Sequence, residues 1–317
     1  MTDSPAVLSA ASAARLNRQA AYASIGAASL LLAIKGWAAW STGSTAMLGS
    51  LADTALDLVA SVATLLGVWI AAQPADDGHR FGHGKAEAIA ALFQIVLISI
   101  SALGIAGRAV EQFAAGGRVE AAAEGIGVSV AAIAVTFALI AWQRYVIRRT
   151  GSLAISTDSV HYQSDLLINI AVIAALALDQ YVGFRQADPL LGLAIAGWLA
   201  WGAWSASEQV LDQLMDKEWP EEKKQRFLEV LARNPDITGV HDLRTRTSGK
   251  RDFVQFHVWV DAQMTVREAH RVMDELEARL RPEFPDTEIL IHPDPEGLVD
   301  EKGDAGRDVL PPIRVAD

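Results

Sequence analysis

The chain contains no cysteine. Disulfides, thiolate nucleophiles and sulfur metal ligands are therefore excluded, and any metal site must be built from His, Asp and Glu, which are intermediate-to-hard ligands. Charge is also scarce over a long stretch. It is sparse from about residue 20 to residue 210 and dense from Asp212 onward. A basic excess is lacking: the formal net charge is −11. Nothing is arranged to neutralise phosphates in a stripe, which argues against a nucleic-acid partner. Finally, no clear small-x-small cleavage site follows the basic residues Arg15 and Arg18. The apolar run after them is too long for a signal-peptide core and reads instead as a membrane span.

Apolar sequence is abundant. Hydrophobic residues make up 51% of 317 positions although 21% are charged, and mean hydropathy is +0.22. That combination implies one apolar part and one soluble part. Six stretches, at 20–40, 46–72, 86–113, 122–147, 153–182 and 187–210, suit the about 20 residues that cross about 30 Å of hydrocarbon. The breaks carry turn chemistry at Ser41-Thr42-Gly43, Gln73-Pro74, Gly116-Gly117, Thr150-Gly151 and Asp188-Pro189. Trp40, Trp69 and Trp142 lie near proposed ends, as interfacial anchors do. Basic residues collect at the N-terminus (Arg15, Arg18), in the second connection (Arg80, Lys85) and in the fourth (Arg144, Arg148, Arg149). The third and fifth connections have only Arg118 and Arg185. The positive-inside rule then expects both termini, and the polar C-terminal part, in the cytoplasm.

That C-terminal part reads as helix 219–234, strands 240–247 and 253–261 joined by Ser248-Gly249-Lys250, helix 265–281 and a short strand 288–292. The expected architecture is a helical membrane bundle of six spans plus a small α+β (αββαβ) domain. The expected organisation is an N-terminal segment 1–19, a membrane domain 20–211, a soluble domain 212–294 and a disordered tail 295–317.

Two ionisable pairs lie inside the spans. Asp53 and Asp57 are four residues apart on the second, and His161 and Asp165 are four apart on the fifth. Each pair shares one helix face, about 6 Å apart along the axis. The second span runs inward and the fifth outward, so both pairs can meet at one depth. An Asp at mid-membrane costs about 2.5–3.5 kcal/mol, so three left unpaired in lipid would cost roughly 8–10 kcal/mol. Lys35 and Arg108 are single cations on other spans. Three Asp and one His supply the four ligands of a tetrahedral divalent ion, which would neutralise that charge. The bland readings are polar helix contacts or a proton relay without metal. No nucleophile or nucleotide-binding loop lies beside the carboxylates, so an enzyme finds no support.

Asp76, His79 and His83 lie on a glycine-punctuated loop, with Asp77 as a substitute ligand. On spacing alone they read equally as surface residues. His241, His257, His270 and His292, with Asp294, all fall in the soluble part, and spacing alone does not bring them together.

The Asp-xxx-Asp and His-xxx-Asp pairs, the six spans and the α+β domain resemble the cation diffusion facilitators. So do Pro74-Ala75-Asp76-Asp77-Gly78-His79-Arg80-Phe81-Gly82-His83-Gly84-Lys85, His161-Tyr162-Gln163-Ser164-Asp165 and His241-Asp242-Leu243-Arg244-Thr245-Arg246. The likeness runs from about Arg15 to Asp294 and is nearest to bacterial zinc and ferrous-iron efflux members. It implies a metallochaperone-like cytoplasmic domain, a bacterial inner-membrane location and a homodimer. Transport would be proton-coupled metal export by alternating access, through Asp53, Asp57, His161 and Asp165. It implies a second metal site at Asp76, His79 and His83. A cytoplasmic cluster of His241, His257, His270, His292 and Asp294 would lie at the dimer interface. It also implies a charge interlock between Lys85 and Asp216. The fourth connection lacks the His-rich tract of many eukaryotic members, so no extra metal-capturing loop is expected. Chemistry supports exchange independently, because imidazole and carboxylate bind either protons or metal. Zn²⁺ and Fe²⁺ are the favoured cargo, with Mn²⁺, Co²⁺ and Cd²⁺ also suited to three oxygens and one nitrogen. The alternative is a membrane-anchored metal sensor whose soluble domain does the work.

Overall fold

The computed structural model describes residues 10–42, 45–114, 125–184 and 186–296. Two compact units divide between Leu211 and Asp212. The first holds α1 (Ala10–Thr42), α2 (Thr45–Ala71), α3 (Ala86–Ala114), α4 (Gly125–Thr150), α5 (Leu153–Val182) and most of α6 (Ala187–Leu214). All six are long and apolar enough to cross a membrane. The second unit holds α7 (Glu221–Leu231), β1 (Gly239–Ser248), β2 (Arg251–Val260), α8 (Val266–Leu280) and β3 (Thr287–Pro295). The expected αββαβ order is therefore the observed one.

Boundaries differ in informative places. The first helix is already formed at Ala10, ahead of the apolar run that starts near residue 20, because a helix does not stop where the apolar run stops. Arg15 and Arg18 ride on its extension. Asp188-Pro189, expected as a break, sits in the first turn of α6, where proline's missing N–H costs nothing. The third strand extends to Pro295 and so carries Asp294 within the sheet. The Gly116-Gly117 turn, Gly43, Arg118, Arg185 and the tail from residue 297 lie outside the described residues.

The bundle is inside-out relative to a soluble protein. Leu103, Phe137, Trp37, Trp40, Trp201 and Trp204 are exposed, while Asn17, Ser24, Ser61, Thr64, Gln94, Gln143, Asp158 and His161 are buried. An exposed apolar belt of this extent suits hydrocarbon, and polar groups within a span are tolerable only inside the bundle. Small residues let the helices approach: Ala20, Ala21, Ala28, Ala88 and Ala91 are fully buried.

In the second unit β1 and β2 pair antiparallel and β2 and β3 pair parallel, in the order β1-β2-β3. Helix α8 supplies the crossover that the parallel pair needs. One sheet face, with Val254, Phe256, Val258 and Val260, packs on Phe227, Val230, Leu231, Val272, Leu276 and Leu280 of the two helices. The opposite face carries the histidines. The register aligns His241 with His257, and His257 with His292. A single row across the sheet thus holds three imidazoles.

Candidate functional site

Three groups of ligand-type side chains assemble among the described residues: Asp57, His161 and Asp165 in the spans; Asp76, His79 and His83 on the loop; and His241, His257 and Asp294 on the sheet.

In the spans, His161 Nε2 lies 2.8 Å from Asp57 Oδ1 and 3.9 Å from Asp165 Oδ2. One ligand atom from each of the three lies within 4.8 Å of the others. Metal bonds of about 2.0–2.2 Å place tetrahedral ligands about 3.3 Å apart, so modest closure converts this cluster into a coordination shell. Exposure is low at His161 and partial at Asp57 and Asp165. Among the described residues no lysine or arginine pairs with these carboxylates. Lys35 donates instead to Thr54 Oγ1 at 2.7 Å, and Arg108 is exposed. Asp53 is one turn from Asp57, exposed, and outside the assembled group. Beside the cluster, the Tyr162 hydroxyl is 2.8 Å from Ser61 Oγ and donates to the Ser24 carbonyl at 3.2 Å.

On the loop, Asp76 meets His79 Nδ1 at 3.4 Å and His83 Nε2 at 3.3 Å. The backbone N–H groups of His79 and Gly78 donate to Asp76 Oδ1 at 2.6 and 2.9 Å. The His79 bond above all holds its carboxyl below the ordinary value of 3.8, and the nearby imidazoles act the same way. Asp76 is thus a standing anion. Asp77 pairs with Arg80 at 3.2 Å and does not join the cluster. His83 Nδ1 is buried without a partner, and this donor set fits a divalent ion.

On the sheet, Asp294 Oδ2 lies 3.1 Å from His241 Nε2 and 2.8 Å from His257 Nδ1. His292 Nε2 meets the other oxygen at 3.2 Å, and its ring is 4.6 Å from that of His257. A bulge between His241 and Arg244 puts Asp242 at φ 49° and its Oδ2 3.7 Å from His257 Nε2. Sequence reasoning did not single out Asp242; bulge geometry leaves no spacing signal. Trp259 lies against His241 at 4.8 Å. Gly239 makes room for it, since a Cβ there would come within 2.7 Å of the indole. Two imidazoles and a carboxylate that converge in this way would suit a resident divalent ion, held by His241, His257 and Asp294. His270 is apart from the group on α8, exposed, with Asp274 3.8 Å away.

A bundle of membrane-length helices with an Asp/His cluster inside it, joined to an α+β unit with a second such cluster, defines a polytopic membrane protein with metal-ligand-type side chains gathered in both units. The comparisons agree. Residues 21–215 match the cation efflux transmembrane domain and residues 219–296 match the cation efflux protein cytoplasmic domain. The chain is 40% identical over 286 residues to the cation-efflux pump FieF of Yersinia pestis (strain Pestoides F), covering 90% of this chain and 95% of the relative. The FieF of Yersinia pseudotuberculosis serotype O:3 (strain YPIII) matches with the same identity and coverage. A solved structure described as a putative zinc transporter CzrB in its zinc form is 40% identical, covers 26% of this chain and 94% of that one, and has a TM-score of 0.25. The chain belongs to the cation efflux family, the cation diffusion facilitators. It is a multi-pass membrane cation-efflux protein and not an enzyme.

Proposed function

We propose that the chain exports a divalent transition metal, Zn²⁺ or Fe²⁺, from the cytoplasm in exchange for protons, as a homodimer with both termini cytoplasmic. The observation that carries this reading is the Asp57–His161–Asp165 cluster, with ligand atoms within 4.8 Å of one another inside the spans and, among the described residues, no lysine or arginine in ion-pair contact with it. Intramembrane carboxylates in that state favour a mobile positive charge, either a divalent ion or protons. Asp53 completes a four-ligand set by turning in from the same helix. The FieF relatives are named as cation-efflux pumps, which supports cation export; a site of three oxygens and one nitrogen suits Zn²⁺ and Fe²⁺. The matched family description for residues 219–296 is that of the cytoplasmic domain, and the loop and sheet clusters then face the compartment from which metal is taken.

The test is zinc flux in proteoliposomes with an imposed proton gradient. Asp57→Ala is expected to abolish gradient-driven flux. Flux equal to wild type would overturn the assignment and leave the sheet cluster as the working part, as in a membrane-anchored sensor.

A further inference from the structure

A second buried carboxylate lies beside the cluster, and the transport reading makes no use of it. Asp158 is fully buried, three residues before His161 on α5. Its Oδ2 accepts from Ser24 Oγ of α1 at 2.6 Å and from Gln143 Nε2 of α4 at 2.7 Å. Its Oδ1 accepts from Gln94 Nε2 of α3 at 2.9 Å. The Gln94 amide also reaches Thr64 Oγ1 and the Ala60 carbonyl of α2. One carboxylate on α5 thereby gathers donors from three helices and, through Gln94, touches a fourth. Every partner is neutral.

Such a node is a poor way to gain stability, because apolar side chains of equal volume would do as well or better. It is a good way to fix register. Sliding α5 by one residue moves it about 1.5 Å and turns it about 100°, which would break all three bonds at once. Both amides also leave their Oε1 buried and unpartnered, so each presents its donor side to Asp158 although its own acceptor goes unsatisfied. Asp158, His161, Tyr162 and Asp165 fall within an arc of about 100° on α5. The face that the node orients is therefore the face that presents His161 to Asp57.

We propose that Asp158 is a positioning residue for transport: clamped by Ser24, Gln94 and Gln143, it sets the depth and rotation of α5 that bring His161 to Asp57. A one-residue slip would carry His161 about 1.5 Å along the axis and about 100° around it, away from Asp57. The proposal rests on the reading of Asp57, His161 and Asp165 as the transport site.

Zinc uptake into proteoliposomes by the full chain tests it, with KM and Vmax measured separately per folded transporter. Asp158→Asn puts an amide donor against amide donors. It is expected to raise KM about 10- to 100-fold, the usual cost of losing a group that orients a ligand, with little change in Vmax. Asp158→Asn/Gln143→Glu returns the carboxylate to the node from α4 and is expected to bring KM back toward wild type. Asp158→Leu/Gln143→Leu packs the node without charge and is expected to give a stable chain whose KM stays high. A purely structural node predicts a wild-type KM in that pair and would overturn the proposal, as would an unchanged KM in Asp158→Asn. If Asp158→Asn does not fold, Gln143→Leu, which removes one donor of three, is read instead: a severalfold rise in KM supports the proposal and no rise overturns it. Asp57→Ala, run alongside, separates the two failures. Retained flux there overturns the transport site itself, whereas lost flux with an unchanged KM in the Asp158 variants overturns only the positioning role.

Discussion

His161 Nε2 and Asp57 Oδ1 lie 2.8 Å apart and join α5 to α2. The residue one turn before Asp57 stays outside: Asp53 is exposed and belongs to none of the assembled clusters. A metal in place of the hydrogen bond requires a fourth donor, and Asp53 shares the helix face about 6 Å away along the axis. Asp53→Asn is therefore expected to raise the KM for zinc transport at least about tenfold, within the range seen when a group that serves a metal is lost. Proteoliposome uptake measures it. A KM within error of wild type would mean that the three assembled residues hold the cargo without Asp53.

Close packing at the end of α2 gives a stability prediction. A Cβ on Gly67 would collide with Ala90 Cβ of α3 and come within 3.1 Å of the Ala86 carbonyl. Neither neighbour is a flexible side-chain end that can swing away. Gly67→Ala is expected to lower the thermal unfolding midpoint in detergent, at a cost of about 1–3 kcal/mol typical of overpacked interiors. An unchanged midpoint would show that α2 and α3 separate freely there.

Much of this architecture was legible because apolar length and intramembrane charge leave strong signals. The fifth span was expected at 153–182 and α5 runs Leu153–Val182; Asp57, His161 and Asp165 were picked from spacing and do meet. Asp158 was not picked. A carboxylate satisfied by Ser24, Gln94 and Gln143 from other helices has no periodicity of its own, and its partners lie up to 134 positions away in sequence. The available hint was that Gln94 and Gln143 are amides within largely apolar spans. On the sheet, the row formed by His241, His257 and His292 depends on strand register, which a one-residue slip would undo. Sequence alone does not fix that register, and the bulge that turns Asp242 toward His257 is invisible to alternation.

Acid sensitivity follows from the start of α8. Thr265 Oγ1 accepts from the Glu268 N–H at 3.3 Å, while Glu268 Oε2 accepts from the Thr265 N–H at 2.8 Å. This capping box holds the Glu268 carboxyl below its ordinary 4.5, first through the Thr265 backbone N–H and then its hydroxyl. A depressed folded value means that the contribution is fully present above about the ordinary value and is lost as pH falls through the folded one. Hydrogen exchange at the first turn of α8, corrected for intrinsic rates, should show protection that is level near neutrality and declines on acidification below 4.5. Glu268→Gln should remove that decline. An identical pH dependence in the variant would assign it to another group.

The sheet cluster and His270 predict two separable effects of metal. His241, His257 and Asp294 already converge within one chain, so binding there needs no second copy. His270 projects from α8 into solvent, 76% exposed, away from that group. If it serves metal it does so from a second chain, consistent with the proposed dimer. His257→Ala removes the imidazole that touches Asp294 and faces Asp242, and is expected to weaken zinc binding at the cluster about 10- to 100-fold. His270→Ala is expected to leave most of that binding intact while reducing zinc-dependent cross-linking between chains. Calorimetric zinc titration of the full protein in a detergent micelle reads the first effect, and cross-linking yield with and without chelator reads the second. Equal losses of both in His270→Ala would place His270 in the same shell as His257. No loss of either would make it a solvated surface histidine paired with Asp274.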